Sequence, residues 1–377
     1  MIKLSEPLYD QSTLDVVKTI LDSGQLVNGK YTKLFEEKFA KYCTASNCVT
    51  TSNGTDALFL ALTAARITKK DSVLVPAITF FATIEAVLQI GAKPIFVDVN
   101  PITWCMDYKD MVEKFDNSVT ACIPVHLFGQ PCHDIVPMAS YCKAMGITLI
   151  EDCAQAHGAT VDSENDTRHS KVGSFGKMGC FSFMATKNLT CGGEGGAITT
   201  GHKHYAKKLQ LLKQHGMTDR HTHEILGYNS KMSEIECAIA FQQLFSLDKN
   251  NDLRIKNSIY LRSALVDIKW LHAQYEPPNT KSVFFWCGFS VDESILNHST
   301  LWLVDKLKEY SIECRYRYEK PLYYQPAFRS IHPEDNSFCP NAEKLAGKLI
   351  GLPNHPKLTK PNLKEIVRVI KKIDKDK

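Results

Sequence analysis

From residue 48 the chain alternates short, nearly unbroken apolar runs with longer stretches in which apolar residues recur at helical spacing. The runs are 72–77, 93–99, 121–128, 147–154, 180–185 and 196–200; the helical stretches are 55–65, 80–90 and 133–145. A strand that is apolar on both faces must be covered on both faces, so the pattern predicts a mostly parallel sheet with helices packed on either side. In such α/β sheets ligands gather beyond the carboxyl ends of the strands, which makes polar residues at strand ends the first candidates for chemistry.

Ahead of this region, 11–23 places Leu14, Val17, Ile20 and Leu21 at helical spacing and stops at Gly24, a residue suited to a helix C-cap. A second helical pattern, 33–42, carries Leu34, Phe35 and Phe39. After Gln243 the alternation weakens: 245–265 is polar and helical, 282–291 is strand-like and 300–310 is helical. The expected organisation is a large α/β domain over 1–250, including the N-terminal helical segment, and a smaller α+β domain over 251–377.

With 377 residues, 44% of them hydrophobic and 23% charged, the chain has the composition of a soluble globular protein with a sizeable core. A net charge of +4 is too small to argue for nucleic acid, and no apolar run reaches membrane-spanning length. Glu6 and Asp10 interrupt the N-terminus where a signal peptide needs an apolar stretch, so a cytoplasmic location is the default expectation. The basic end, 371–377, reads as a frayed, solvated terminus. Thirteen cysteines without a CxxC pair read as buried free thiols. His202, His204, His215, His221 and His223 fit no zinc spacing, so no metal is expected.

The candidate chemistry centres on Lys187, which follows the apolar run 180–185 and precedes Gly192-Gly193-Glu194-Gly195-Gly196. Desolvation lowers the pKa of an amine, and a neutral amine attacks carbonyls; a structural or phosphate-binding lysine fits the same position. Asp152 ends the run 147–152, where it can hold a proton on a pyridine nitrogen and so make the ring an electron sink, or simply cap the next segment. Gln155 can donate to a phenolic oxygen of the same ring, and Phe80 can stack on its face or belong to the core. Ser52-Asn53-Gly54-Thr55-Asp56 opens a helix, a site for phosphate or an ordinary N-cap. The period of two puts Ser182 and Met184 on one face of their strand, opposite Phe181 and Phe183, and the Ser182 hydroxyl can add to a phosphate site. Together these residues describe a pocket for a phosphorylated aromatic aldehyde.

These segments, with 23–29, 75–80, 91–99, 126–131, 150–158, 227–234 and 352–359, resemble the DegT/DnrJ/EryC1/StrS family of pyridoxal-phosphate-dependent sugar aminotransferases nearly end to end. The resemblance implies a homodimer of the aspartate-aminotransferase fold, pyridoxal-phosphate fold type I, with active sites at the subunit interface. It implies pyridoxal 5'-phosphate held by Lys187 as a Schiff base, Asp152 on the ring nitrogen, Gln155 on the ring hydroxyl oxygen and Phe80 on the ring face. Gly54, Thr55, Asp56 (through its backbone) and Ser182 would bind the phosphate. Asn229 would reach the partner's phosphate, and Lys231 stands where relatives carry arginine or asparagine. Two departures are visible: Met184 replaces a histidine of some relatives, and Arg315-Tyr316-Arg317-Tyr318 replaces a stretch with histidine before the tyrosine.

The implied reaction is a ping-pong transamination through pyridoxamine phosphate, from an amino acid, by family habit glutamate, to a nucleotide-linked keto-sugar. Amino sugars of this kind serve polysaccharide and O-antigen biosynthesis. Relatives that dehydrate a sugar carry histidine in place of Lys187, which sets the dehydratase reading behind aminotransfer; a non-catalytic regulator is the reading from another class.

Overall fold

The computed structural model describes residues 1–163 and 166–377. The predicted alternation appears as strands β1 (Asn47–Thr51), β2 (Ser72–Pro76), β3 (Lys93–Val97), β4 (Val119–Cys122) and β5 (Thr148–Asp152). A hairpin of β6 (Thr160–Ser163) and β7 (Asp166–Lys171) follows, then β8 (Met178–Ser182) and β9 (Gly196–Thr200). All but the hairpin form one seven-stranded sheet in the order β1-β9-β8-β5-β4-β2-β3. It is parallel from β8 to β3, while β9 runs antiparallel to both β1 and β8. The helix Gly54–Ala64 packs on this sheet and buries Ala57, Leu58, Leu60, Ala61 and Leu62, apolar almost all round as an enclosed helix must be. Because β1, β2, β5 and β8 point the same way, Ser52, the turn after Pro76, Asp152 and Ser182 arrive at one rim.

The helix Glu234–Ala264, 31 residues long, starts on a Ser233–Glu236 capping box and serves two cores. Cys237, Ala240, Leu244 and Leu247 pack with Phe35, Phe39, Phe181 and Phe183, whereas Leu261 and Leu265 pack beneath a second sheet. That sheet takes β10 (Leu271–Ala273), β12 (Cys287–Val291), β13 (Arg315–Arg317) and β14 (Leu349–Leu352) in the antiparallel order β10-β12-β14-β13, while β11 (Thr280–Lys281) joins the β6–β7 hairpin. Asp98 fastens the later residues to the first sheet by accepting the N–H groups of Asn341 (2.9 Å) and Ala342 (2.8 Å).

Four expectations are corrected. The helix Gln11–Ser23 ends at Gly24 in a left-handed cap, but it buries Thr13, Val16 and Ile20 and leaves Leu14 and Leu21 exposed. The helix expected over 245–265 begins at Glu234. The strand expected from residue 282 begins only at Cys287, because the preceding residues pass under the Phe128–Gly129 turn. There the Val283 N–H donates to the Gly129 carbonyl (3.0 Å), and a Cβ on Gly129 would stand 2.6 Å from the Phe285 nitrogen. The basic terminus is helical through Asp376: Ile373 is buried and Asp374 accepts the Trp270 indole N–H (2.7 Å), while the lysines stay outside. The cysteines match expectation, all free thiols and all buried except the partly exposed Cys314.

Glu234, the first residue of the long helix, turns its buried carboxylate into the start of the helix Lys30–Tyr42. It accepts the N–H groups of Gly29 (2.9 Å), Tyr31 and Thr32 (3.2 Å) and the Thr32 hydroxyl (2.7 Å). An anion here meets unpaired N–H groups and the positive end of the helix dipole. Glu234→Ala should lower unfolding free energy by about 2–4 kcal/mol in denaturant titrations, with Glu234→Gln less affected, since its amide oxygen still accepts. Equal stability of Glu234→Ala and the parent would refute this docking.

Candidate active site

At the carboxyl rim of the large sheet lies a cavity of about 470 Å³. Eight of the nine site residues expected from the sequence line it: Gly54, Thr55, Asp56, Phe80, Asp152, Gln155, Ser182 and Lys187. Asn229 does not; it is exposed, and its Oδ1 accepts from the Lys231 ammonium at 2.8 Å.

Asp152 ends β5 with 6% of its surface exposed. Oδ2 accepts the Thr83 hydroxyl (2.9 Å) and Oδ1 the Ala154 N–H (3.1 Å). Burial pushes its pKa up, opposed by these two bonds and by the nearby Lys187 ammonium. The preceding residue, Glu151, points to the opposite face, as strand alternation requires. Its Oε1 accepts the N–H groups of Phe175 and Gly176 (2.8 Å each), and its Oε2 that of Gly173 (2.7 Å). Glu151 Oε2 also meets His126 Nε2 at 3.2 Å, while His126 Nδ1 accepts the Cys132 N–H (2.9 Å), so Nε2 carries the donor proton. Cys153 lies close to this pair, and the three form the one group of potential metal ligands found among the described residues. Both imidazole nitrogens and both carboxylate oxygens are already hydrogen-bonded, so the group is a hub that fixes the strand end.

Gln155 is oriented from both sides. Its Oε1 accepts the Phe128 N–H (2.9 Å), available because Phe128 turns left-handed (φ 59°), and its Nε2 faces the Tyr318 hydroxyl at 3.4 Å. Burial pushes the Tyr318 phenol up to about 12, keeping it neutral while its oxygen accepts from Gln155.

At the other end of the cavity, Asn53 caps the helix Gly54–Ala64 by accepting the Asp56 N–H at 2.8 Å. The backbone donor expected from Asp56 is therefore already engaged, and its carboxylate is held by the Ser52 hydroxyl. Among the described residues, no hydrogen bond uses the N–H of Gly54 or Thr55 or the Thr55 hydroxyl. These free donors sit at the positive end of the helix dipole, where an anion is favoured. Gly54 lies against the strand end so closely that a Cβ there would stand 2.7 Å from the Ser182 Cβ.

Lys187 is half-buried, with its ammonium 4.7 Å from the Phe285 ring centre. Burial lowers its pKa to about 8; Asp152 and Glu194 pull the other way, and Arg317 adds to the lowering. Phe80 is 53% exposed and so not a core residue, and the Arg317 guanidinium stands 5.9 Å above its ring. Sequence reasoning missed Thr83, His126, Glu151 and Glu194. Thr83 falls one helical turn beyond Phe80, a spacing that can flag it; the fixed roles of His126 and Glu151 depend on chain crossings that no local pattern shows.

The chain belongs to the DegT/DnrJ/EryC1/StrS aminotransferase family, whose model matches residues 7–371. Its α/β fold is that of the pyridoxal-phosphate-dependent aminotransferases, as expected. Among curated relatives, the UDP-N-acetyl-3-dehydro-alpha-D-glucosamine 3-aminotransferase of Acidithiobacillus ferrooxidans is 33% identical, over 97% of this chain and 94% of its own. A pleiotropic regulatory protein of Geobacillus stearothermophilus is 32% identical over 98% and 97%. Among solved structures, S. venezuelae DesV in complex with a ketimine intermediate matches with a TM-score of 0.89 at 29% identity, covering 96% of this chain and 94% of that one.

The depressed Lys187 pKa has two measurable consequences. In cofactor-free protein, reductive trapping of a small aldehyde on Lys187, read by peptide mass spectrometry, should rise with pH about a midpoint near 8; a midpoint near the ordinary 10.5 would contradict the burial argument. Because the folded state loses this proton first, its stability should rise between pH 8 and 10.5. Lys187→Met should accordingly stabilise the cofactor-free fold at pH 7 by about 1–2 kcal/mol, allowing for partial exposure. That gain should shrink across the same pH window.

Proposed function

We propose that this chain is a pyridoxal-phosphate-dependent aminotransferase that converts a nucleotide-linked keto-sugar into an amino sugar, with glutamate as donor. The observation that carries the proposal is a lysine amine held near neutrality in the same cavity as a buried carboxylate and an open aromatic ring. The residues fit the cofactor: Asp152 presents an anion for a ring nitrogen, Gln155 an oriented amide for a ring hydroxyl, and Phe80 a free ring face. Gly54, Thr55 and Ser182 offer unspent donors for a phosphate at a helix N-terminus. When bound, pyridoxal phosphate supplies a carbonyl for amine capture and a ring that withdraws electrons from the carbon losing its proton.

In this reading Lys187, whose lowered pKa makes the neutral amine accessible near physiological pH, would hold the carbonyl at rest. Displaced by the donor's amine, it stays within the cavity, where it takes the proton from the substrate carbon and then returns it, as base and then acid. Asp152 keeps the ring nitrogen protonated, its own charge sustained by Thr83 and Ala154. The exposed Asn229 and the partly exposed Lys231 sit on a loop tied to the helix start through the Ser52 N–H and Ser230 carbonyl (3.0 Å), where they would meet a second copy of the chain in a homodimer. We assign 1–250 to cofactor binding and 251–377 to the smaller domain that brings Arg317 and Tyr318 over the cavity. Lys187 also sets aside the dehydratase reading. The regulator reading has a relative of that name in its favour, but it gives no reason to keep a desolvated amine beside Asp152.

Protein loaded with pyridoxal phosphate should show the visible absorbance of the lysine Schiff base, and L-glutamate should bleach it. A panel of keto-sugar nucleotides should then release 2-oxoglutarate with at least one member. Lys187→Ala should lose about 10²–10⁴-fold or more of turnover; normal turnover in that variant would refute the role of Lys187.

A further inference from the structure

We propose that Arg317 is the carboxylate-binding residue of this site, accepting the carboxylate of the incoming substrate beside Lys187. The proposal rests on the aminotransferase reading and deepens it. Arg317 closes β13, its backbone paired with Leu349 of β14, while its guanidinium leaves the sheet to lie 5.9 Å over the Phe80 ring. It stands close enough to Lys187 to influence that amine.

Among the described residues its side chain has no hydrogen bond and no ion pair, although it is only half-exposed. Three other enclosed cations have acceptors. Arg254 donates to the Asn354 carbonyl (3.0 Å), Lys213 to Glu36 (2.8 Å) and Lys114 to the Phe96 carbonyl (2.7 Å). A guanidinium has five N–H donors, and withdrawing them from water without acceptors is costly. The arrangement makes sense when a ligand brings the acceptors.

Position and shape select the ligand. The free donors of Gly54 and Thr55 serve the phosphate end of the cavity, whereas Arg317 lies at the Phe80 and Lys187 end, where a substrate amine must arrive. In an α-amino acid the carboxylate is attached to the carbon that bears the amine. A nitrogen that takes the place of the Lys187 amine therefore brings its carboxylate towards a neighbouring cation. The planar guanidinium fork matches a carboxylate with two parallel hydrogen bonds. A carboxylate carried by the sugar is the other source of the same group.

The test compares the parent with Arg317→Gln and Arg317→Lys, each loaded with cofactor and checked for an unchanged unfolding midpoint. One arm measures the KM for L-glutamate in the donor half-reaction, with binding of the unreactive dicarboxylate glutarate as a readout independent of turnover. The other arm measures KM for keto-sugar nucleotides with and without a sugar carboxylate. Arg317→Gln should raise the glutamate KM and weaken glutarate by about 10- to 100-fold, with kcat much less changed and Arg317→Lys recovering part of the loss. A loss confined to the carboxylated sugar upholds the proposal with the sugar as the source. Unchanged values in both arms overturn it, as does a loss equal for neutral and carboxylated sugar nucleotides, which would move Arg317 to the diphosphate. Should the parent protein fail to take up cofactor or to be bleached by glutamate, the aminotransferase reading itself falls, an outcome visible without any variant.

Discussion

Asp152 places a carboxylate at the end of a central strand with almost no access to water, where an ion is tolerated only if donors and cations replace its hydration. The surroundings supply that replacement piecemeal: the Thr83 hydroxyl from the first turn of the helix Ala82–Ile90, a backbone N–H two residues on, and the Lys187 ammonium. Each comes from a different segment, so the sheet order, the turn after β2 and the loop after β8 must all be in place for the charge to be held. Asp152 also lines the cavity, and in the proposed reading a protonated ring nitrogen is the partner that completes the set.

The adjacent residue shows the contrast between a structural and a functional carboxylate. Glu151 fills both oxygens with three backbone N–H groups and His126, leaving nothing to offer a ligand. That closure pins the segment 173–176 and the 126–132 turn, and the turn in turn presents the Phe128 N–H to Gln155. Strand alternation thus places a sealed acid behind the sheet and an accessible one in front, one residue apart. Lys187 is the counterpart: its burial lowers stability near neutral pH while making the amine reactive, a trade common at active sites.

The sequence was most legible where one local signal sufficed. Apolar runs gave the large sheet, and strand ends gave Asp152 and Ser182, because parallel strands buried on both faces leave an unmistakable pattern. Gly24 ended its helix as expected, but periodicity alone did not say which side of that helix is covered, and Leu14 and Leu21 remained outside. The strand from residue 282 was misjudged because its first half packs under a turn from residues 128–129, a constraint invisible to a window. The same limit hid Glu234 as a clamp on a helix some two hundred residues earlier, and Thr83 as a support of Asp152. At the phosphate end, the helix start and the free donors of Gly54 and Thr55 were legible, but the capping of the Asp56 N–H was not. Asn53 had claimed the Asp56 N–H, leaving Gly54 and Thr55 to face the cavity.

In the proposed mechanism, proton loss from the substrate carbon depends on Asp152 holding a proton on a ring nitrogen. The most direct measurement is the ¹⁵N chemical shift of the ring nitrogen of isotope-labelled pyridoxal phosphate bound to this protein, followed across neutral and mildly alkaline pH. A shift characteristic of a protonated nitrogen throughout that range, lost in Asp152→Asn, is the predicted result. An unprotonated nitrogen in the parent, or a protonated one that survives in Asp152→Asn, would contradict it.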